Sequence, residues 1–458
     1  MLKFEQYRQH IEELFAAALA AADPGYAVRS FLKRDGRFLQ IGDAEVDISR
    51  GRVFLVSVGK AALPMAEAAY VLLEDFLYAT AVLSKRGGQE TDNSLLKNLS
   101  EVQLLQGSHP VSGEDSIQST SRIIEMLRHT TEDDLVICLI SGGASALLTQ
   151  PEISLNDWQI LINALLASGC TINELNTVRR QLDRVKGGGL ARIAAPAHCI
   201  SLILSDVVGN PLEAIGSGPT VILSEEPVEA QAVLNRYEIA SAIDRAAYER
   251  ITIVLNNQEH ACSSQSMDTD VKSEIFIIGD VKMAAQAAMS RAIDLGFIGQ
   301  IITVHLEGEA REVGRFAAAI AKDTLPGRCL IFGGETTVTL QGNGLGGRNQ
   351  EVALSAAITM SGRPRTVIAS LATDGEDGPT PAAGAAVCGE TAPYAMSQGL
   401  SAQEYLYRND SYNFFREFDN LINVRKDSNL SPCLIITGST GTNVNDLLFI
   451  LTYEGTAG

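Results

Sequence analysis

VFLVSVGK (53–60), DLVICLISGGAS (134–145) and CISLILSDVVGN (199–210) are the stretches that decide the fold. Each is a run of mostly apolar, largely β-branched residues that closes on a glycine turn. Helical text such as AALPMAEAAYVLLEDFLY (61–78) separates them. A strand that is apolar on both faces needs a sheet covered on both faces, so this alternation predicts an α/β protein with a parallel sheet. Such sheets bind ligands beyond the carboxyl ends of their strands, which is where Lys60, the SGGAS run and Asp206 fall.

Outward from these strands, residues 3–22 read as an opening amphipathic helix stopped by Asp23-Pro24-Gly25. Between about 225 and 275 the text turns polar and helical, apart from a strand expected at ITIVLN (251–256), and the domain boundary is expected near 245. The second part, 246–458, carries further strands at 275–278, 301–304, 329–340, 366–373, 433–437 and 447–453. GETTVTLQG (334–342) alternates apolar and polar residues, so this second α/β domain is expected to hold a mixed sheet.

The composition is that of a globular enzyme, with 458 residues, 46% hydrophobic and 20% charged. A formal charge of −19 disfavours a nucleic-acid backbone as partner, so any bound phosphate must be met by local cations, metal or amides. The seven cysteines are scattered among apolar runs, which fits small buried side chains in a reducing cytoplasm. The apolar run near the N-terminus is only about nine residues long, so neither a signal peptide nor a membrane partner is expected.

Several glycine-rich loops place N–H groups where an anion can approach. Ser141, Gly142, Gly143, Ala144 and Ser145 follow a buried strand and open a helix, without the spacing of a Walker loop. Lys60 ends the first strand, where a cation at a helix start is better explained by a ligand than by the helix dipole. Asp206 ends a strand beside the glycine turns around Asn210, which suits a general base, a metal ligand or a loop cap. GNGLGG (342–347) matches GxGxxG, but no acidic residue follows at the distance a ribose requires. Arg348, directly after Gly346 and Gly347 and with no local acid, reads instead as a clamp for carboxylate or phosphate. Asp374, Asp377 and Glu335 offer hard oxygen ligands for a nucleotide-bound Mg²⁺. The six histidines share no zinc spacing, and no GxSxG elbow is present.

VGKAA (58–62), SGGASALL (141–148), LSDVVGNPLEAIGSGPT (204–220), GGETTVTL (333–340), GGRNQE (346–351), TDGEDGPTPAAGA (373–385) and TGSTGTNVNDL (437–447) together resemble the class II glycerate 2-kinase family, whose C-terminal part is the MOFRL domain. The resemblance implies a Rossmann-like N-terminal domain over 1–245 and a smaller C-terminal domain over 246–458, with the MOFRL segment at about 328–450 and a cleft between the domains. It implies transfer of the γ-phosphoryl group of ATP, with Mg²⁺, to the 2-hydroxyl of D-glycerate. Lys60, Asp206 and Arg348 are then the catalytic set, and Thr440, Gly441, Thr442, Asn443 and Asn445 the nucleotide loop. A homodimer is compatible with this reading. Two others stay open: an NAD(P)H-dependent hydroxypyruvate reductase, a name often attached to the family, and a non-catalytic organic-acid or nucleotide binder.

Overall fold

A computed structural model describes residues 2–87, 94–97, 99–223, 227–262, 271–425 and 430–455. The chain divides into two compact units, Pro24–Ile278 and Met1–Asp23 with Gly279–Gly458.

The first unit is built on a six-stranded sheet. Its order is Val102–Gly107, Leu77–Lys85, Val53–Val58, Leu135–Ile140, His198–Leu204 and Lys272–Gly279. The first five strands run parallel in register, as the continuous apolar runs predict. Every residue of Val53–Val58 and Leu135–Ile140 is buried, and alternate side chains such as Phe54, Val56, Val136 and Cys138 form one core. A second cluster joins Trp158, Leu161, Val178, Leu182, Ile251 and Leu255. Here the expected strand at ITIVLN is corrected: it lies inside the helix Arg245–Cys262, because Ile251 and Leu255 are one helical turn apart and both pack into this cluster. An antiparallel three-stranded sheet over Leu32–Asp35, Phe38–Ile41 and Ala44–Asp47 went unread in the sequence.

The second unit holds a mixed six-stranded sheet in the order Ile298–Glu309, Arg328–Thr337, Asp446–Thr452, Thr366–Ala372, Gly384–Cys388 and Leu434–Ile435. Only the first pair is parallel. The helix Val281–Leu295 starts where Asp280 caps the Met283 amide and stops at Gly296, whose φ of 101° suits glycine. Ala310–Asp323 packs closely on Arg348–Thr359 because Gly314 leaves room: a Cβ there would lie 2.3 Å from the Val352 carbonyl oxygen.

The boundary therefore differs from the one expected near 245. Lys272–Gly279 completes the first sheet, which extends the first unit to 278. The opening helix Tyr7–Ala21 belongs to the second unit, where His10 Nδ1 meets the Tyr453 hydroxyl at 2.9 Å and Thr442 Oγ1 donates to the Ala22 carbonyl at 2.6 Å. No described helix is long and apolar enough to cross a membrane. No disulfide joins the described cysteines; Cys262 lies outside the described side chains.

Candidate active site

In the first unit, the carboxyl edge of the sheet gathers the residues expected there. Ser141 ends the strand Leu135–Ile140, and its Oγ accepts the Ala61 N–H at 3.1 Å while the Lys60 N–H donates to the Gly142 carbonyl at 2.8 Å. The two glycine loops are thus stitched together. Gly59 (φ 130°) is required at that contact, because a Cβ would lie 2.1 Å from Ser141 Oγ. A Cβ on Gly142 would lie 2.1 Å from Asp206 Oδ2, and one on Gly143 would lie 3.3 Å from Lys60 Cγ and 3.2 Å from His109 Cδ2. Lys60, Asp206 and His109 therefore surround one two-residue turn made of glycines. Asn210 turns the chain after Asp206 with a left-handed φ of 53°.

The helix after SGGAS is only Ala144–Leu147, and the Ser141 and Ala144 amides donate within the protein. It is the short helix expected behind this loop, and its single turn adds little dipole. What fixes the turn is Lys186, which is buried and donates to the Ser145 carbonyl at 2.8 Å and the Leu148 carbonyl at 3.0 Å. Burial lowers its pKa to about 8. Ser145 Oγ lies 3.2 Å from Ser217 Oγ. Lys186 was missed because VKGGGL has no strand before it to mark a ligand edge.

His109 was missed for a similar reason, as a histidine outside any metal spacing. Burial, then the charges of Lys60 and Lys85, push its pKa down to about 4, so it is neutral at physiological pH.

In the second unit, Arg348 is not the unpaired arginine that its flanking glycines suggested. Its Nε and Nη2 make a fork on Asp446 at 2.6 and 3.0 Å, and its Nη1 meets Glu335 Oε1 at 2.7 Å. Asp446 comes from a strand 98 residues away and Glu335 from the strand Arg328–Thr337 that precedes the glycines. Burial opposes the Arg348 charge, but Asp446, then Glu335 and Asp377, outweigh it and raise its pKa above the ordinary arginine value. Burial raises the Asp446 carboxyl to about 7, against the pull of Arg348. Of five guanidinium N–H groups, three are engaged, which leaves about two for a ligand.

The glycines before Arg348 make room for neighbouring residues of the protein. A Cβ on Gly344 or Gly346 would lie 2.4 Å from Asp410 Cβ or 2.2 Å from Ser411 Oγ, and one on Gly347 would lie 2.2 Å from the Asp377 carboxyl carbon. The N-terminus of the helix Arg348–Thr359 is filled by Asp377, which accepts from the Asn349 and Gln350 amides at 3.0 and 2.8 Å. Gly346 and Gly347, expected at phosphate, have no room for a side chain because Ser411 and Asp377 pack against them. Asp377 is 1% exposed, and burial raises its pKa despite these bonds.

The loop 437–446 divides in the same way. Thr442 is tied to Ala22, Asn445 Nδ2 donates to Glu335 Oε2 at 3.1 Å, and Asn443 Oδ1 accepts the Asn445 N–H. Thr440 donates to the Thr373 carbonyl at 2.6 Å and, through its amide, to the Asp374 carbonyl. Gly438, φ 68°, and Gly441, φ 76°, have open space where a side chain would stand. Among the described residues no group of three or more His, Cys, Asp or Glu side chains is placed to hold a metal ion. The expected trio is thus not assembled: Asp377 anchors a helix and Glu335 faces Arg348, whereas Asp374 Oδ1 accepts only the Glu376 amide at 3.1 Å.

Residues 10–252 match DUF4147, described as a domain of unknown function, and residues 328–446 match the MOFRL family. A D-glycerate 2-kinase of Thermotoga maritima is 40% identical, with 87% of this chain and 90% of the relative covered. A putative hydroxypyruvate reductase of Agrobacterium vitis is 35% identical over 97% of this chain and 94% of its own. The crystal structure of a glycerate kinase from Thermotoga maritima matches with a TM-score of 0.82 at 37% identity, covering 98% of this chain and 100% of that one. With both family segments present in order and relatives similar over nearly the whole length, the chain belongs to the class II glycerate kinase family.

Proposed function

We propose that this protein is a D-glycerate 2-kinase that transfers the γ-phosphoryl group of ATP to the 2-hydroxyl of D-glycerate, giving 2-phosphoglycerate and ADP. The observation that carries the reading is the convergence of Lys60 and Asp206 on the Gly142–Gly143 turn at the carboxyl edge of a parallel sheet. Phosphoryl transfer asks the protein for positioning and charge neutralisation more than for covalent chemistry. Asp206 orients the acceptor hydroxyl and takes its proton. Lys60 neutralises an oxyanion, and the two remaining Arg348 N–H groups stabilise charge on the transferred phosphoryl. Backbone near Gly438 and Gly441 is the open part of the nucleotide loop. A nucleotide-bound Mg²⁺ takes most of its ligands from phosphate and water, so one carboxylate, Asp374, fits it where a three-carboxylate cage does not. When bound, the ion neutralises phosphate charge.

The reductase reading loses its physical basis in the GxGxxG run, whose glycines pack against Arg408, Asp410, Ser411 and Asp377 and whose helix start already holds Asp377. Phosphorus NMR of the product of ATP and D-glycerate tests the assignment. A single 2-phosphate ester supports it, and a 3-phosphate ester contradicts the role of Asp206 at the 2-hydroxyl.

A further inference from the structure

Three neighbouring parallel strands end together at Val58, Lys85 and Gly107, with Val58 paired to Leu83 and Lys85 to Gly107. Each edge delivers one basic side chain at or just past its end: Lys60, Lys85 and His109. The Lys60 and Lys85 side chains are exposed and have no ion-pair partner among the described residues, and the His109 ring makes no hydrogen bond among them. In a chain of net charge −19, two lysines with no ion-pair partner among the described residues, beside a half-buried imidazole, make a local basic patch suited to an anion.

We propose that Lys85 and His109 join Lys60 in binding the carboxylate of the substrate acid and thereby set the preference for small hydroxy acids, an inference that rests on the kinase reading above. The neighbouring Asp206 decides between the anions a kinase binds. It lies against Gly142 while His109 and Lys60 lie against Gly143, so the turn has one acidic and one basic side. A small hydroxy acid matches both, with its hydroxyl on Asp206 and its carboxylate on the cations. A triphosphate would set Asp206 beside several negative charges, which is repulsive at this range. The neutral state of His109 suits the same ligand, because one ring nitrogen donates to a carboxylate oxygen while the other accepts from a hydroxyl.

The test compares wild type with Lys85→Met and His109→Gln. D-glycerate and ATP are varied separately in steady-state kinetics, and calorimetry titrates D-glycerate, ATP and inorganic phosphate into each protein. The expected result is a rise of about tenfold or more in KM for D-glycerate in each variant, the loss of one charge-assisted contact. KM for ATP should stay within about twofold and the melting temperature should not move. An unchanged KM for D-glycerate overturns the proposal, as does a rise in KM for ATP in its place or a loss of inorganic phosphate binding alone, either of which assigns the cations to phosphate. If the wild type binds D-glycerate without consuming ATP, the kinase reading fails while the calorimetric arm still decides the pocket. Equal binding of D-glycerate by wild type and both variants overturns it there too.

Discussion

Replacing Arg348 by lysine keeps the charge and removes the geometry. The guanidinium holds Asp446 with two N–H groups and Glu335 with a third, in one plane, and presents about two more to a ligand. An ammonium is a point charge on a shorter reach and cannot serve both carboxylates and a phosphoryl group at once. Leaving a buried carboxylate unpaired costs about 3–5 kcal/mol. Lysine restores part of this, and Asp446, with its pKa raised to about 7, can take up a proton. The expected destabilisation is therefore about 1–3 kcal/mol, or roughly 3–10 °C in melting temperature. The rate should suffer more, since loss of a preorganised donor to developing charge costs on the order of 10²–10³ in kcat. Steady-state kinetics and a calorimetric melt of Arg348→Lys measure both. Near-normal kcat and KM in the folded variant would refute the account, and a lowered melting temperature with normal kcat would make Arg348 only a brace for the mixed sheet.

Other substitutions separate chemistry from architecture. Asp206→Asn is nearly isosteric and should lose roughly 10²–10⁴ in kcat while ATP affinity stays within about threefold, as isothermal titration would show; wild-type kcat would reduce Asp206 to a loop cap. Asp377→Asn should lower stability by about 1–3 kcal/mol by weakening the helix start, and added Mg²⁺ should restore nothing; rescue by Mg²⁺ would return Asp377 to the metal. Lys186 gives a pH signature. Its folded pKa, about 8, lies below its unfolded value, so between about pH 8 and 10.5 the unfolded chain binds the extra proton and the stability of the wild type should rise with pH. In Lys186→Met that rise should vanish in denaturant titrations across the window, and equal slopes would mean that Lys186 is not the buried group.

The parallel sheet was legible because burial on both faces leaves an unbroken apolar run, and Lys60 and Asp206 were legible because such strands direct ligands to one edge. The helix around Ile251 was not, since a short β-branched run reads alike in helix and strand until its packing partners are known. Arg348 and Asp377 failed for a different reason. Asp446, which forks Arg348, lies 98 residues away, and the amides that Asp377 caps lie 27–28 residues from it, so no local window shows that one guanidinium is already forked or that one carboxylate already fills a helix start. Gly346 and Gly347 show the same ambiguity: the small residue that lets phosphate approach a backbone equally lets a neighbouring residue such as Ser411 or Asp377 approach it.

The most direct measurement is a paired turnover assay on the purified protein. One arm follows ADP formation from ATP, Mg²⁺ and D-glycerate, and the other follows NADH or NADPH oxidation with hydroxypyruvate. ADP formation that requires D-glycerate, with no nicotinamide oxidation, is the predicted result. Nicotinamide oxidation without ATP consumption would contradict the account at its centre.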